Sequence, residues 1–355
     1  MKLTSTTATA MVLVLAASQM AQAGDTLRLL TWGGYAPEEV IALFEAESGH
    51  SVEVTLSNNE EMIAKLRATA GGGFDLAQPS QDRIAGPQAE FGIYKPMDLT
   101  QIDASQFITS MLEATKTNTT VDGEIYGVPP VWGTSGLVLD TAAAGSVKDY
   151  TDLCSDEVAG KVSYRLKRPT LIGFAFAMGL DPFAAYGDEA AYSEIMDQVE
   201  AKLIECKPNV KTYWGGGDEL MNLIRSGEVV ASMAWDTGGW KLNGEMPNVT
   251  FVAPASGALG WIDTFVLPAK GRADEAAYDW INFVMRPEIS AMITSSAGNF
   301  TASKGADAFA DAALKAQYQA SFSAADVDNI KWYPPVPAGL ETIEGGVLDR
   351  VKAAN

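Results

Sequence analysis

LRLLTWGGYAPEEVIALFEAESGHSVEVTLSNNEEMIAKLRATAGGGFDLAQPS, residues 27–80, is the stretch that decides the fold. Leu27–Thr31 is a short apolar run that reads as a strand. Trp32-Gly33-Gly34-Tyr35 makes a turn, and Pro37 opens a helix at a position where its missing N–H costs nothing. Val40, Ile41 and Phe44 give that helix an apolar stripe, and Gly49 ends it. Ser51–Leu56 alternates as a second strand. A second helix runs from about Glu60 to Ala70 and stops at Gly71-Gly72-Gly73. Phe74–Gln78 is a third strand, ending at Pro79-Ser80. Strand–helix–strand–helix–strand predicts a parallel sheet. Ligands of such sheets meet the carboxyl ends of the strands, where WGGY and PSQD fall.

A second alternating region follows Trp132. Lys161–Tyr164, Val229–Ala234, Phe251–Ala253 and Thr264–Leu267 read as strands. Thr170–Met178, Ala190–Leu203 and Glu275–Met285 read as helices, the last stopped by Pro287. There are no repeats and no Pro/Ser-rich hinge. The expectation is an α/β chain of two lobes joined by several crossings, with the ligand cleft between them. Residues 24–131 with 261–310 form one lobe, and 132–260 with 311–355 the other.

The first 23 residues read as an export signal. Lys2 supplies the positive start, Ala10–Ala17 the apolar stretch, and Ala21-Gln22-Ala23 a small-residue cleavage site. That apolar stretch is too short to span a bilayer. About 330 of the 355 residues then remain, a length that usually divides into two cores. The formal net charge of -20 disfavours nucleic acid and anionic membranes as partners. It suits either plain solubility or a cationic solute. Cys154 and Cys206 are the only cysteines, and in an oxidising compartment an isolated pair is expected to be a disulfide. Closing a loop of about 50 residues would contribute about 4 kcal/mol in the chain-entropy model.

Most catalytic constellations are missing. His50, the one histidine, sits in a turn beside Gly49 and reads as a solvated turn residue. Without a second histidine or a cysteine cluster no zinc site is expected, and no cofactor is implied. Gly71–Gly73 and Gly215–Gly217 lack the Gly-Lys-Ser/Thr of a phosphate-binding loop. Gly133-Thr134-Ser135-Gly136 lacks the spacing of a nucleophile elbow. Paired carboxylates for a hydrolase or lyase stay open as a rival, since any two of many acids can converge.

What the sequence does hold is a set of aromatic and acidic residues beside turn glycines. Trp32 and Tyr35 flank a glycine pair, Trp132 precedes Gly-Thr-Ser, and Trp214 precedes three glycines. Trp235 precedes Asp236, and Trp261 lies two residues before Asp263. A core tryptophan more often sits inside a periodic element, as Trp280 does. An ammonium over such a ring gains about 0.5–2 kcal/mol, and a buried carboxylate adds a charge-assisted hydrogen bond. Together they suit an amine on a methylene chain, with carbohydrate as the main chemical rival.

With these motifs in order, the chain resembles the periplasmic polyamine-binding proteins of ABC importers. LTWGGY, GGGFDLAQPS, Ile125–Thr134 (IYGVPPVWGT), Ala234–Trp235, Gly260–Pro268 (GWIDTFVLP) and Ile281–Pro287 (INFVMRP) carry the likeness. It implies a two-lobed periplasmic binding protein fold of type II, a membrane permease as partner, and a monomer free in the periplasm. It also implies that Trp32 and Tyr35 are first-lobe aromatic contacts and Ser80 a polar one. Trp235 and Trp261 are then walls, and Asp263 the carboxylate that grips an ammonium. Two positions depart from the family. Gly33-Gly34 stand where an acid commonly follows the first-strand tryptophan. Lys167-Arg168-Pro169-Thr170 stand where the second-lobe helix carries acids. An Arg168 facing the cleft would repel a second amine by about 4 kcal/mol at contact and an effective dielectric near 20. It would favour a zwitterion such as an ω-amino acid, betaine, taurine or aminophosphonate. An Arg168 facing solvent leaves polyamine binding possible, with Asp82, Asp218 or Asp236 as the second clamp.

Overall fold

A computed structural model describes residues 24–354. The export signal expected over residues 1–23 lies outside the described residues. The N-terminal stretch folds as its pattern predicts. Thr26–Thr31 pairs in parallel with Ser51–Leu56, Leu29 opposite Val54, and with Leu76–Ala77 on its other side. The intervening helices are Glu38–Ser48 and Asn59–Ala68. Pro37 sits one position earlier than expected, as the extended residue capping the first helix. Glu38 and Glu39 in its first turn complement the helix dipole. Gly49, with φ 77°, closes it and donates its N–H to the Glu45 carbonyl at 3.0 Å.

The run LRLLT buries Leu27, Leu29 and Leu30 because both faces of its sheet are covered, while Arg28 pairs with Asp75 at 2.8 Å. Leu27 and Leu29 pack with Phe44, Trp280 and Phe283. Leu30 points to the opposite face, with Met62, Leu66 and Val266. The sheet continues through Phe265–Pro268, which returns antiparallel against Leu76–Ala77 and Tyr94–Lys95.

The second sheet is organised around the long strand Val131–Asp140. Ala231–Trp235 pairs antiparallel on one side and Leu259–Ile262 on the other. Val162–Tyr164 and Val210–Tyr213 extend it in parallel, and Lys331–Trp332 closes the far edge. One face buries Leu137, Leu139, Tyr150 and Tyr164. The other buries Val138, Trp214, Trp240 and Phe251. The C-terminal helix Leu340–Ala353 packs on the long helix Glu189–Cys206. Cys206 at the end of the latter is bonded to Cys154.

Among the described residues the chain crosses between the sheets three times. Gly127–Val128 leads into Val131–Asp140, Leu259–Ile262 leads into Phe265–Pro268, and helix Pro287–Ala297 leads into Phe300–Thr301. By sheet membership, Trp261 and Ile262 belong with the second sheet, and so does Val131, opposite Thr301. His50 is not the solvated turn residue expected. It accepts from the Asp25 backbone N–H at 2.9 Å, stacks on Phe44 and pairs with Asp279, tying the first strand to a helix. Among the described residues no helix is long and apolar enough to cross a membrane.

Candidate functional site

Between the two sheets, at the carboxyl ends of their parallel strands, lies a cavity of about 600 Å³. The first lobe supplies Trp32 and Tyr35 from the turn after its first strand. Asn59 comes from the head of its second helix, and Ser80 and Asp82 from the segment after its third strand. The second lobe supplies Arg165, Arg168 and Trp235. Trp261 and Asp263 come from one of the crossings.

Asp263 is the centre of the polar lining. It is 2% exposed, and the crossing pins its backbone, with its N–H donating to the Val131 carbonyl at 2.9 Å. The Tyr35 hydroxyl donates to one carboxylate oxygen at 2.6 Å, and the Ser80 hydroxyl to the other at 2.7 Å. Asn59 in turn holds Ser80, donating from Nδ2 to its hydroxyl at 3.0 Å and accepting its N–H at 2.9 Å. No cation pairs with this carboxylate among the described residues. Burial accordingly pushes its pKa up to about 7, against the two hydroxyl donors that lower it. Tyr35, buried beside that acid, is held well above its usual pKa and stays a donor. A carboxylate has room for about four hydrogen bonds, so two donors leave acceptor capacity facing the cavity.

Two glycines make the geometry possible. A Cβ on Gly133 would lie 2.5 Å from the Trp261 indole and 2.8 Å from the Asn299 amide, so only glycine seats Trp261 across the crossing. A Cβ on Gly34, whose φ is 87°, would lie 2.9 Å from the Ala297 Cα, so glycine lets the first turn pass close to that helix. Trp32 is fixed by its indole N–H, which donates to the Gln78 carbonyl at 2.7 Å.

The structure brings together Trp32, Tyr35, Ser80, Asp82, Arg168, Trp235, Trp261 and Asp263 around this cavity. It places three other expected residues elsewhere. Trp132 stacks on Phe300 and meets Tyr318 and Trp332 in the second lobe. Trp214 is buried edge-on beneath Trp235, ring centres 5.2 Å apart. Asp236 lies under the lining at the head of helix Asp236–Glu245. It accepts from Thr134 N–H and hydroxyl at 2.8 and 2.9 Å and from Thr237 N–H at 2.7 Å, and burial raises its pKa to about 7. Its one side-chain amide partner is Asn299 at 3.3 Å, which does line the cavity.

Arg168 points neither to solvent nor freely into the cleft. It is 3% exposed, 3.4 Å from the equally buried Glu344 of the C-terminal helix, and bonded to the Tyr186 hydroxyl. Burial opposes its charge. Glu344, Tyr186 and Asp82 outweigh that and hold its pKa above the ordinary value. Asp82 is likewise spoken for: burial raises its pKa, with Arg83 at 3.4 Å and the charge of Arg168 acting against.

Several lining residues were missed, among them Asn59, Asn299, Lys241 and Arg165. Arg165 directly follows the strand Val162–Tyr164 and stacks its guanidinium over Trp235, 5.2 Å from the ring centre, and over Trp214 at 5.5 Å. The strand-end position that singled out the tryptophans marks it equally well. Among the described residues no group of His, Cys, Asp and Glu is placed to hold a metal ion.

The bacterial extracellular solute-binding protein family matches residues 39–321. The chain belongs to this family. As a solute-binding protein its role is capture rather than catalysis, and its fold is the two-lobed type II periplasmic binding protein fold. It is 28% identical over 288 residues to spermidine/putrescine-binding periplasmic protein 1 of Haemophilus influenzae, covering 79% of this chain and 76% of that one. It is 22% identical over 351 residues to a putrescine-binding periplasmic protein of Escherichia coli, covering 92% and 89%. The solved structure of a Treponema pallidum lipoprotein superposes with a TM-score of 0.75 at 21% identity, covering 92% of this solute-binding protein and 99% of the lipoprotein.

Proposed function

We propose that this solute-binding protein is the periplasmic receptor of an ABC importer, taking a small amine-bearing solute between its lobes for delivery to a membrane permease. Relatives from Haemophilus influenzae and Escherichia coli, named for binding spermidine and putrescine, put polyamines within that ligand class. The observation that carries the reading is Asp263. A buried carboxylate with only hydroxyl donors, aimed into a cleft between tryptophans, lacks the cation that its desolvation calls for. A ligand ammonium supplies that cation, and Trp32 and Trp261 flank it with aromatic surface. The division into lobes, the export of the chain after residue 23 and the monomeric state belong to the same proposal.

A thermal-shift panel tests it, with putrescine, spermidine and 4-aminobutyrate against the uncharged 1,4-butanediol. An amine at about 100 times its dissociation constant stabilises the fold by about 2.7 kcal/mol, which raises the melting temperature visibly. The diol is expected to leave it unchanged. Stabilisation by the diol equal to that by the amines, or by no amine at all, would sink the proposal.

A further inference from the structure

The second lobe presents to the same cavity a cation without an ion-pair partner among the described residues. Arg165 is partly buried, and burial lowers its pKa, yet a guanidinium stays protonated in proteins. Its neighbours are two tryptophan rings, and among the described residues no acid lies within ion-pair distance of it, Glu60 acting on it only from farther away. This sets Arg165 apart from the other two arginines of the lining. Arg83 is paired with Glu341 and lies close to Asp82, and Arg168 is paired with Glu344. Lys241 on the same lobe also lines the cavity and has no ion pair among the described residues. The acids that share the cavity do not cancel this charge. Asp82 faces Arg83 and Arg168, Glu60 leans toward Arg83 at 3.8 Å, and Asp218 sits exposed at the head of helix Gly217–Arg225.

The aromatic face of Trp235 is therefore already occupied by the protein's own cation. A second ligand ammonium brought to that wall would meet a like charge rather than an open ring. A carboxylate brought there would find a planar fork of donors, held in place by stacking and able to bind both its oxygens. We infer that the solute carries an amine at one end and a carboxylate at the other, and that Arg165 is the residue that selects the carboxylate. The inference rests on the reading that Asp263 holds the amine, and it divides the cleft by lobe. The first lobe and the crossing take the cation, the second lobe takes the anion, and a ligand with both ends draws the lobes together.

Isothermal titration calorimetry on the exported chain with 4-aminobutyrate and putrescine tests this, using the wild type and Arg165→Gln, Arg165→Lys and Arg165→Glu. The wild type is expected to bind 4-aminobutyrate at least about tenfold tighter than putrescine. Arg165→Gln should weaken 4-aminobutyrate by about 100-fold, the scale of losing one partner of a buried charge pair. Arg165→Lys should fall between, because it keeps the charge and loses the fork. Arg165→Glu should reverse the preference toward putrescine, a gain that misfolding does not produce. Two results overturn the inference and leave the amine reading intact. One is tighter binding of putrescine by the wild type, lost in Asp263→Asn. The other is 4-aminobutyrate binding that is indifferent to Arg165→Gln. No binding of either ligand by the wild type overturns both.

Discussion

At Asp263 the same burial that would suit the proposed amine makes the ionised carboxylate costly in the ligand-free cleft. Its pKa of about 7 lies above the unfolded value of about 3.9, so between these limits the folded, ligand-free protein binds the extra proton. The contribution of Asp263 to ligand-free stability therefore rises as pH falls from 7 toward 4. Asp236, raised to about 7 by burial, acts in the same direction. Ligand binding runs the other way, because an ammonium needs the carboxylate ionised. Affinity for an amine is expected to drop toward tenfold per unit as pH falls below 7, while the ligand-free melting temperature rises. Melting curves from pH 8 to 5, with and without ligand, check both slopes, and Asp263→Asn should flatten the ligand-dependent one. The residues that gather around Asp263 in the cavity were legible. Trp32, Tyr35, Ser80 and Asp263 stand at strand ends where a parallel sheet offers its binding edge. Arg165 stands at such an end too, but a search for aromatics and acids passes over a lone arginine.

At the scale of elements, position along a strand proved readable and orientation across the chain did not. Trp132 and Trp214 stand beside glycines, yet Trp132 lies within the strand Val131–Asp140 and stacks on Phe300, and Trp214 slides beneath Trp235. Which side of a turn a ring takes depends on the opposite element, and local spacing says nothing about that. Arg168 is the sharper case, since its partner Glu344 comes from the C-terminal helix. Tyr192 of helix Glu189–Cys206 donates to the same carboxylate at 2.6 Å, so three elements meet on one buried charge pair. Replacing Glu344 with Gln leaves the Arg168 charge without its carboxylate. The expected loss is about 3–5 kcal/mol of stability, measured by denaturant unfolding. The disulfide belongs to this scale as well, tying the Tyr150–Cys154 turn to that long helix within the second lobe. Cys206→Ser is expected to cost about 2–4 kcal/mol of stability, with the affinity for an amine unchanged because the bond lies outside the cavity lining. Unfolding and calorimetry on the same sample separate the two effects.

At the scale of the molecule, alternating strand and helix patterns were enough to read two sheets. The crossings between them were not visible as linkers, because each is only a few residues long, two running from one sheet straight into the other and one from helix Pro287–Ala297 into Phe300–Thr301. Trp261 packs against the cores of both lobes, and Asp263 follows it at the point where the chain leaves the second sheet for the first. A solute bound there contacts both lobes and favours the conformation in which they approach. Asp263 is the residue proposed to hold an amine in this cleft. Calorimetric titration of 4-aminobutyrate and putrescine at pH 8 into the wild type and Asp263→Asn tests that role most directly. Saturable binding of at least one of them by the wild type, weakened by about 100-fold or more in the variant, is the predicted result. An Asp263→Asn protein that binds as tightly as the wild type would contradict it.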